Sequence, residues 1–130
     1  MLEYISSVLS SIIVGVILFQ SLLIAPSVNK IISKQEASIF LRFIWPNFFL
    51  LIAFLSFINL LLFFILKQDD KFIFYLSLVS CLLMVFCYCV TPIINSAKDN
   101  SNQRLWSFLH FVTIIFTLKS LISNIIIITL

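Results

Sequence analysis

The stretch Leu18–Leu62, LFQSLLIAPSVNKIISKQEASIFLRFIWPNFFLLIAFLSFINLLL, decides the fold. It holds the end of one apolar run, a short charged connection and a second apolar run. Read physically it is a transmembrane hairpin, because each run reaches the roughly 20 residues that carry a helix across ~30 Å of hydrocarbon. The connection contains Lys30, Lys34, Glu36 and Arg42. Within Ser33–Phe43, the apolar positions Ala37, Ile39, Phe40 and Phe43 are spaced for a short amphipathic turn at the headgroups. Arg42, Trp45 and Pro46 mark entry into the second run: arginine snorkels, tryptophan settles at the interface, and proline near a helix start costs little.

Outward from this hairpin the chain repeats the pattern once. Apolar runs cover about Tyr4–Ala25, Phe43–Leu66, Phe72–Pro92 and Leu105–Leu130. An unpaired strand cannot cross lipid and four are too few for a closed barrel, so each run is a helix despite the Phe and β-branched content. The expected fold is an all-α membrane protein, one four-helix transmembrane domain over residues 1–130. The composition demands lipid as solvent. Hydrophobic residues are 62% of the chain, against roughly 45–50% in soluble domains. The mean hydropathy is +1.22. A small soluble domain buries only about 60–70% of its chain's surface and could not hide so much apolar side chain. The N-terminal run reads as a retained span: its first charge is Glu3, and no A-x-A site follows.

The net charge of +3 is spread over connections, with no Lys/Arg run for nucleic acid. Connections one and three share a side and carry Lys30, Lys34, Arg42, Lys98 and Arg104; the tight loop on the other side carries Lys67 and Lys71. That bias places connections one and three in the cytoplasm and both termini outside, in a bacterial inner membrane. The first run closes on Pro26-Ser-Val-Asn29 and the third on Pro92-Ile-Ile-Asn95, so these prolines and asparagines are read as helix-end motifs. The two motifs are 66 residues apart, and Asn59 and Asn124 are 65 apart. Two readings stand. One is a tandem duplication of hairpins about an axis along the membrane normal. The other is interface chemistry that places Pro, Asn and Arg-Trp at any such helix end.

At these residues the chain resembles a known family. LFQSLLIAP with its polar linker, IWPNFF and SFINLLL are similar to the transmembrane protein 205 family and its bacterial relatives, the domain of unknown function 4149. Trp45-Pro46-Asn47-Phe48 matches a Phe-Pro-aromatic motif at the second span. Trp106-Ser-Phe108-Leu-His110 supplies the His of a Phe-x-x-x-His motif, with altered Phe spacing. Ile-Ile-Asn follows Pro92 where the pattern has a basic residue. The resemblance implies a small polytopic membrane protein and supplies no agreed activity, although the family's animal member is linked with metal-drug resistance.

The last run holds the candidate site. Ser107, His110, Thr113, Thr117, Ser120 and Asn124 step by threes and fours and form one polar stripe. Such a stripe faces protein or water, not lipid. It either lines a path for a polar solute or ion, with His110 as proton or metal partner, or packs helices through Ser and Thr hydrogen bonds. His110 is the only histidine, so neither a bis-His haem nor a His-only zinc site fits one chain; a His/Met haem remains open. Cys81, Met84 and Tyr88 share a face with soft sulfur for Cu(I), but no CxxC occurs, and Cys87 and Cys89 point roughly 200° apart. Cys and Met also fill apolar cores. No metal or cofactor is assigned.

Ser7, Ser11 and Gly15 form a small-xxx-small row for close helix packing, within the bundle or between copies. Gln20, Asn59 and Asn124 are amides that need interhelical partners. Lys119 either snorkels or pairs with Glu3, Asp69 or Asp70. No carboxylate lies inside a run, and no phosphate loop or Ser/His/acid set occurs, so no enzyme is expected. The sequence thus favours a small solute- or metal-handling membrane protein, a homo-oligomer or part of a larger complex. In it His110, Thr117 and Asn124 line the path and the Pro26 and Pro92 ends form its mouth. The competing reading is an accessory or scaffold subunit of a larger membrane complex.

Overall fold

The computed structural model describes residues 4–130. Four long helices account for nearly all of them, and all four are long and apolar enough to cross a membrane. They are α1 (Ile5–Ile31), α2 (Lys34–Ile65), α3 (Lys71–Asp99) and α4 (Gln103–Thr129). A single π-helical turn, Gln20–Ile24, interrupts α1. The connections are short and capped. Ser33 Oγ accepts the Glu36 N–H at 3.3 Å. The Asp70 carboxylate accepts the N–H groups of Phe72 and Ile73, and Asn102 Oδ1 accepts that of Leu105. These are the orphan donors of a helix start, met by the residue types that meet them best.

Consecutive helices run antiparallel, and α1 closes the ring against α4. The diagonal pairs α1–α3 and α2–α4 do not pack on each other. The middle of the bundle is filled by Ile13 and Ile17 of α1, Phe48, Phe49, Ile52 and Ala53 of α2, and Met84 and Cys87 of α3.

Helix boundaries differ from those read in the sequence. Apolar runs mark where lipid is, not where helices stop. At 1.5 Å per residue the 32 residues of α2 extend about 48 Å, well beyond ~30 Å of hydrocarbon. The segment Ser33–Phe43, expected as a separate amphipathic turn, is the start of α2 and its cap, and Pro46 lies inside that helix. Pro26 and Pro92 do not end their helices either: α1 continues to Ile31 and α3 to Asp99.

Proline removes one helix bond and clashes with the carbonyl a turn back. Each of the three has a polar neighbour bonded to a nearby carbonyl. Asn29 donates to Ala25, Asn47 to Phe43 and Thr91 to Cys87, at 3.0, 2.7 and 2.8 Å. The π turn just before Pro26 supplies a further local adjustment.

Candidate functional site

The residue before each proline, Ala25, Trp45 and Thr91, lines a cavity of about 430 Å³. The prolines therefore stand beside this cavity on α1, α2 and α3, with a π turn just before Pro26, while α4 carries no proline. All four helices contribute to the wall. It includes Ile17, Leu18, Ser21 and Leu22 from α1, and Ser38, Arg42 and Phe49 from α2. From α3 come Asn95 and Lys98, and from α4 Trp106, His110, Thr113, Thr117, Leu118 and Leu121. Most of this wall is apolar, and the polar groups gather toward the end where connections one and three lie.

Two openings follow from exposure. Leu18 and Leu22 on α1 and Ile114 and Leu118 on α4 all line the cavity and are exposed. The cavity therefore opens sideways between α1 and α4, toward lipid. At the connection end, Arg42, Lys98 and Trp106 form the rim. Inward, Ile17 and Phe49 separate it from the rest of the bundle.

The rim has a fixed charge arrangement. Both terminal guanidinium nitrogens of Arg42 donate to Asp99, Nη1 to Oδ2 at 3.1 Å and Nη2 to Oδ1. This is the only ion pair among the described residues. Lys98 Nζ instead lies 5.9 Å above the Trp106 ring, which stacks in turn on His110 with centroids 5.0 Å apart and planes 7° from parallel. Ammonium over indole is a favourable cation–π geometry.

The polar stripe of α4 divides. His110, Thr113 and Thr117 line the cavity. The Thr113 hydroxyl donates to the His110 carbonyl at 2.7 Å and Thr117 to Thr113 at 2.8 Å, so both donors are used along their own helix. Ser107 is exposed and accepts from Gln103 on the helix surface. Asn124 does not join the lining. It lies beyond the apolar plug, buried, and donates to Ser80 Oγ at 3.1 Å and to the Ser120 carbonyl at 2.8 Å. Ser80 also bonds Ser56 and Ser120, which ties three helices together. Asn59 reaches Ser10 at 3.4 Å. The far half of the stripe is therefore tied into bonds between helices, and Asn124 lies outside the cavity.

Of the helix-end motifs, Asn95 lines the cavity, while Pro26, Asn29 and Pro92 are exposed beside it. Ser11 and Gly15 are exposed and Ser7 is half-buried, and a methyl added at Gly15 would meet nothing within 4 Å. The neighbouring row Ser6, Ser10, Ile13 and Ile17 packs the interior instead. Gln20 is buried with its side-chain Nε2 unpaired among the described residues. Lys119 is exposed and pairs with neither Asp69 nor Asp70; Glu3 lies outside the described residues. Met84 and Cys87 are buried in the core, Cys81 donates to the Ala53 carbonyl, and Cys89 is exposed. No three of His, Cys, Asp or Glu gather into a metal-ligand set among the described residues. Trp45, Ser21 and Ser38 are lining residues that the sequence did not single out as such; only their arrival from three helices identifies them.

This architecture defines a small four-span membrane protein with a side-opening cavity near one face. The chain belongs to the family described as domain of unknown function DUF4149, whose model matches residues 8–103, well over half of it. The match takes in the first three helices and stops where α4 begins, so His110 lies beyond it. A search of the curated proteins and of the solved structures found no match.

Proposed function

We propose that this chain is a multi-pass membrane protein, without catalytic activity, that binds a small organic molecule drawn from the bilayer. The supporting observation is the cavity: about 430 Å³, inside the ~300–1,000 Å³ range of small-molecule sites, mostly apolar, with convergent polar groups at one end. The lateral opening between α1 and α4 favours a lipid-soluble ligand over an ion. Lys/Arg bias puts the cavity rim in the cytoplasm and the termini outside. The hairpins α1–α2 and α3–α4 are read as tandem copies, since each buries an Asn that donates to a Ser of its own hairpin, Asn59 to Ser10 and Asn124 to Ser80. The test is mass spectrometry of protein extracted in mild detergent. A stoichiometric small molecule that is lost in Thr117→Phe, which fills the cavity, is the expected result. An empty wild-type protein would sink the reading.

One observation favours a second, compatible reading as a subunit. Along the row Ser7, Ser11 and Gly15, Ser11 and Gly15 are exposed and no described residue comes within 4 Å of a methyl added at Gly15, and such rows let a partner helix approach closely. A second copy or a larger complex would sit there. Gly15→Leu should then dissociate the assembly in mild detergent without unfolding the chain.

A further inference from the structure

We infer that the ligand of this cavity is an anionic amphiphile of the bilayer, whose acidic headgroup sits at Lys98 and whose chain leaves between α1 and α4. The inference rests on the cavity reading above and specifies its ligand class. Three observations carry it. The first is charge. The connections and helix ends on this side hold five cations against Glu36 and Asp99, which equals the chain's whole formal net charge of +3. The second is availability. No acid lines the cavity, and Asp99, the acid paired with Arg42 beside the rim, has both its oxygens taken. Lys98 stands beside that pair with no carboxylate partner among the described residues, held over the Trp106 face. A cation that bonds neither to an acid nor out of reach of the cavity presents an unspent charge to whatever enters. The third is shape. Behind Lys98 the wall turns apolar, and it ends at the exposed pairs Leu18 and Leu22, Ile114 and Leu118. A molecule that satisfies both ends needs an acid at one and a hydrocarbon tail at the other. Basic pockets between helices at the membrane surface are a recognised way to hold acidic lipid headgroups.

The chain carries its own probe. Its only two tryptophans, Trp45 and Trp106, both line the cavity. Purified protein in neutral detergent is titrated with phosphatidylglycerol or phosphatidylcholine brominated on the acyl chain, and tryptophan quenching is followed. Saturable quenching is expected at about fivefold lower phosphatidylglycerol than phosphatidylcholine, the preference one cation near the surface gives. Lys98→Gln should remove that preference, and Lys119→Gln, on the outer face of α4, should leave it. Equal quenching by both lipids would overturn the charge inference and leave the cavity reading standing. No saturable quenching by either would overturn both. If inorganic phosphate displaced the brominated lipid at millimolar concentration, the ligand would be a soluble phosphate and the amphiphile inference would fail.

Discussion

The two halves of this bundle are built from similar polar residues and come out opposite. In the half near the termini, Ser56, Ser80, Ser120 and Asn124 are buried and bond across three helices. In the half near connections one and three, Thr91, Thr113 and Thr117 bond along their own helices, and a cavity remains. Polarity does not by itself make a path through a membrane protein. What matters is whether a hydroxyl is spent on a neighbouring helix, drawing it in, or on its own backbone, leaving the neighbour where prolines and bulky side chains set it. Serine suits the first role because it is small enough for close approach. Threonine in a helix readily returns its hydroxyl to the carbonyl a turn back.

The largest effect should come from putting the same side chain into each half. Ser80 has no exposed surface and joins Ser56, Ser120 and Asn124. Ser80→Leu adds volume where none exists and removes one of the two acceptors of the Asn124 amide, at a cost of about 1–3 kcal/mol for overpacking and up to as much again for the unpaired N–H. The thermal midpoint in detergent should collapse. Thr117→Leu adds a similar group at the cavity wall, and the midpoint should move little while bound ligand falls. Equal losses from the two variants would break the distinction between halves.

A milder test removes the contact instead of crowding it. Asn124→Ala deletes the donor to Ser80, and interhelical bonds of this kind in membranes average about 0.6 kcal/mol, with ~1.7 at the top. Ser80 keeps Ser56 and Ser120, so the expected loss lies near the upper figure only through the small void left behind. Thr113→Val, by contrast, removes a bond made within one helix and should cost less. Urea unfolding in a mixed micelle separates the two.

How much of this was legible beforehand depended on which solvent reads the residue. Four helices were plain because lipid forbids unpaired backbone, whatever the propensities of Phe and Ile say. Helix ends were not, because Lys34–Arg42 and Asn95–Asp99 look like loops to a hydropathy count while forming regular helix. The spacing of His110, Thr113 and Thr117 found one wall of the cavity. Their neighbours from α1, α2 and α3 depend on assembly. The small rows show the deeper limit. Ser6–Ser10 and Ser7–Ser11 have the same period and lie about 100° apart on α1, and only packing tells which turns inward, since lipid and core are equally apolar.

The smallest change in stability should come with the sharpest change at the cavity. Arg42 and Asp99 are one-third and more than half exposed, at 34% and 57%. An ion pair so exposed contributes little to stability, and less again in salt. Asp99→Asn should therefore shift the thermal midpoint by a degree or two at most. The same change frees a guanidinium that already lines the cavity by removing its acid partner. The half that was kept open but electrically half-satisfied would then carry two unpaired cations, Arg42 and Lys98. Preference for an acidic over a neutral brominated lipid should rise by about another fivefold, the increment expected per cation near a membrane surface. A preference that fell with Asp99→Asn would mean that the fork holds the rim in shape, and that geometry more than charge selects what enters.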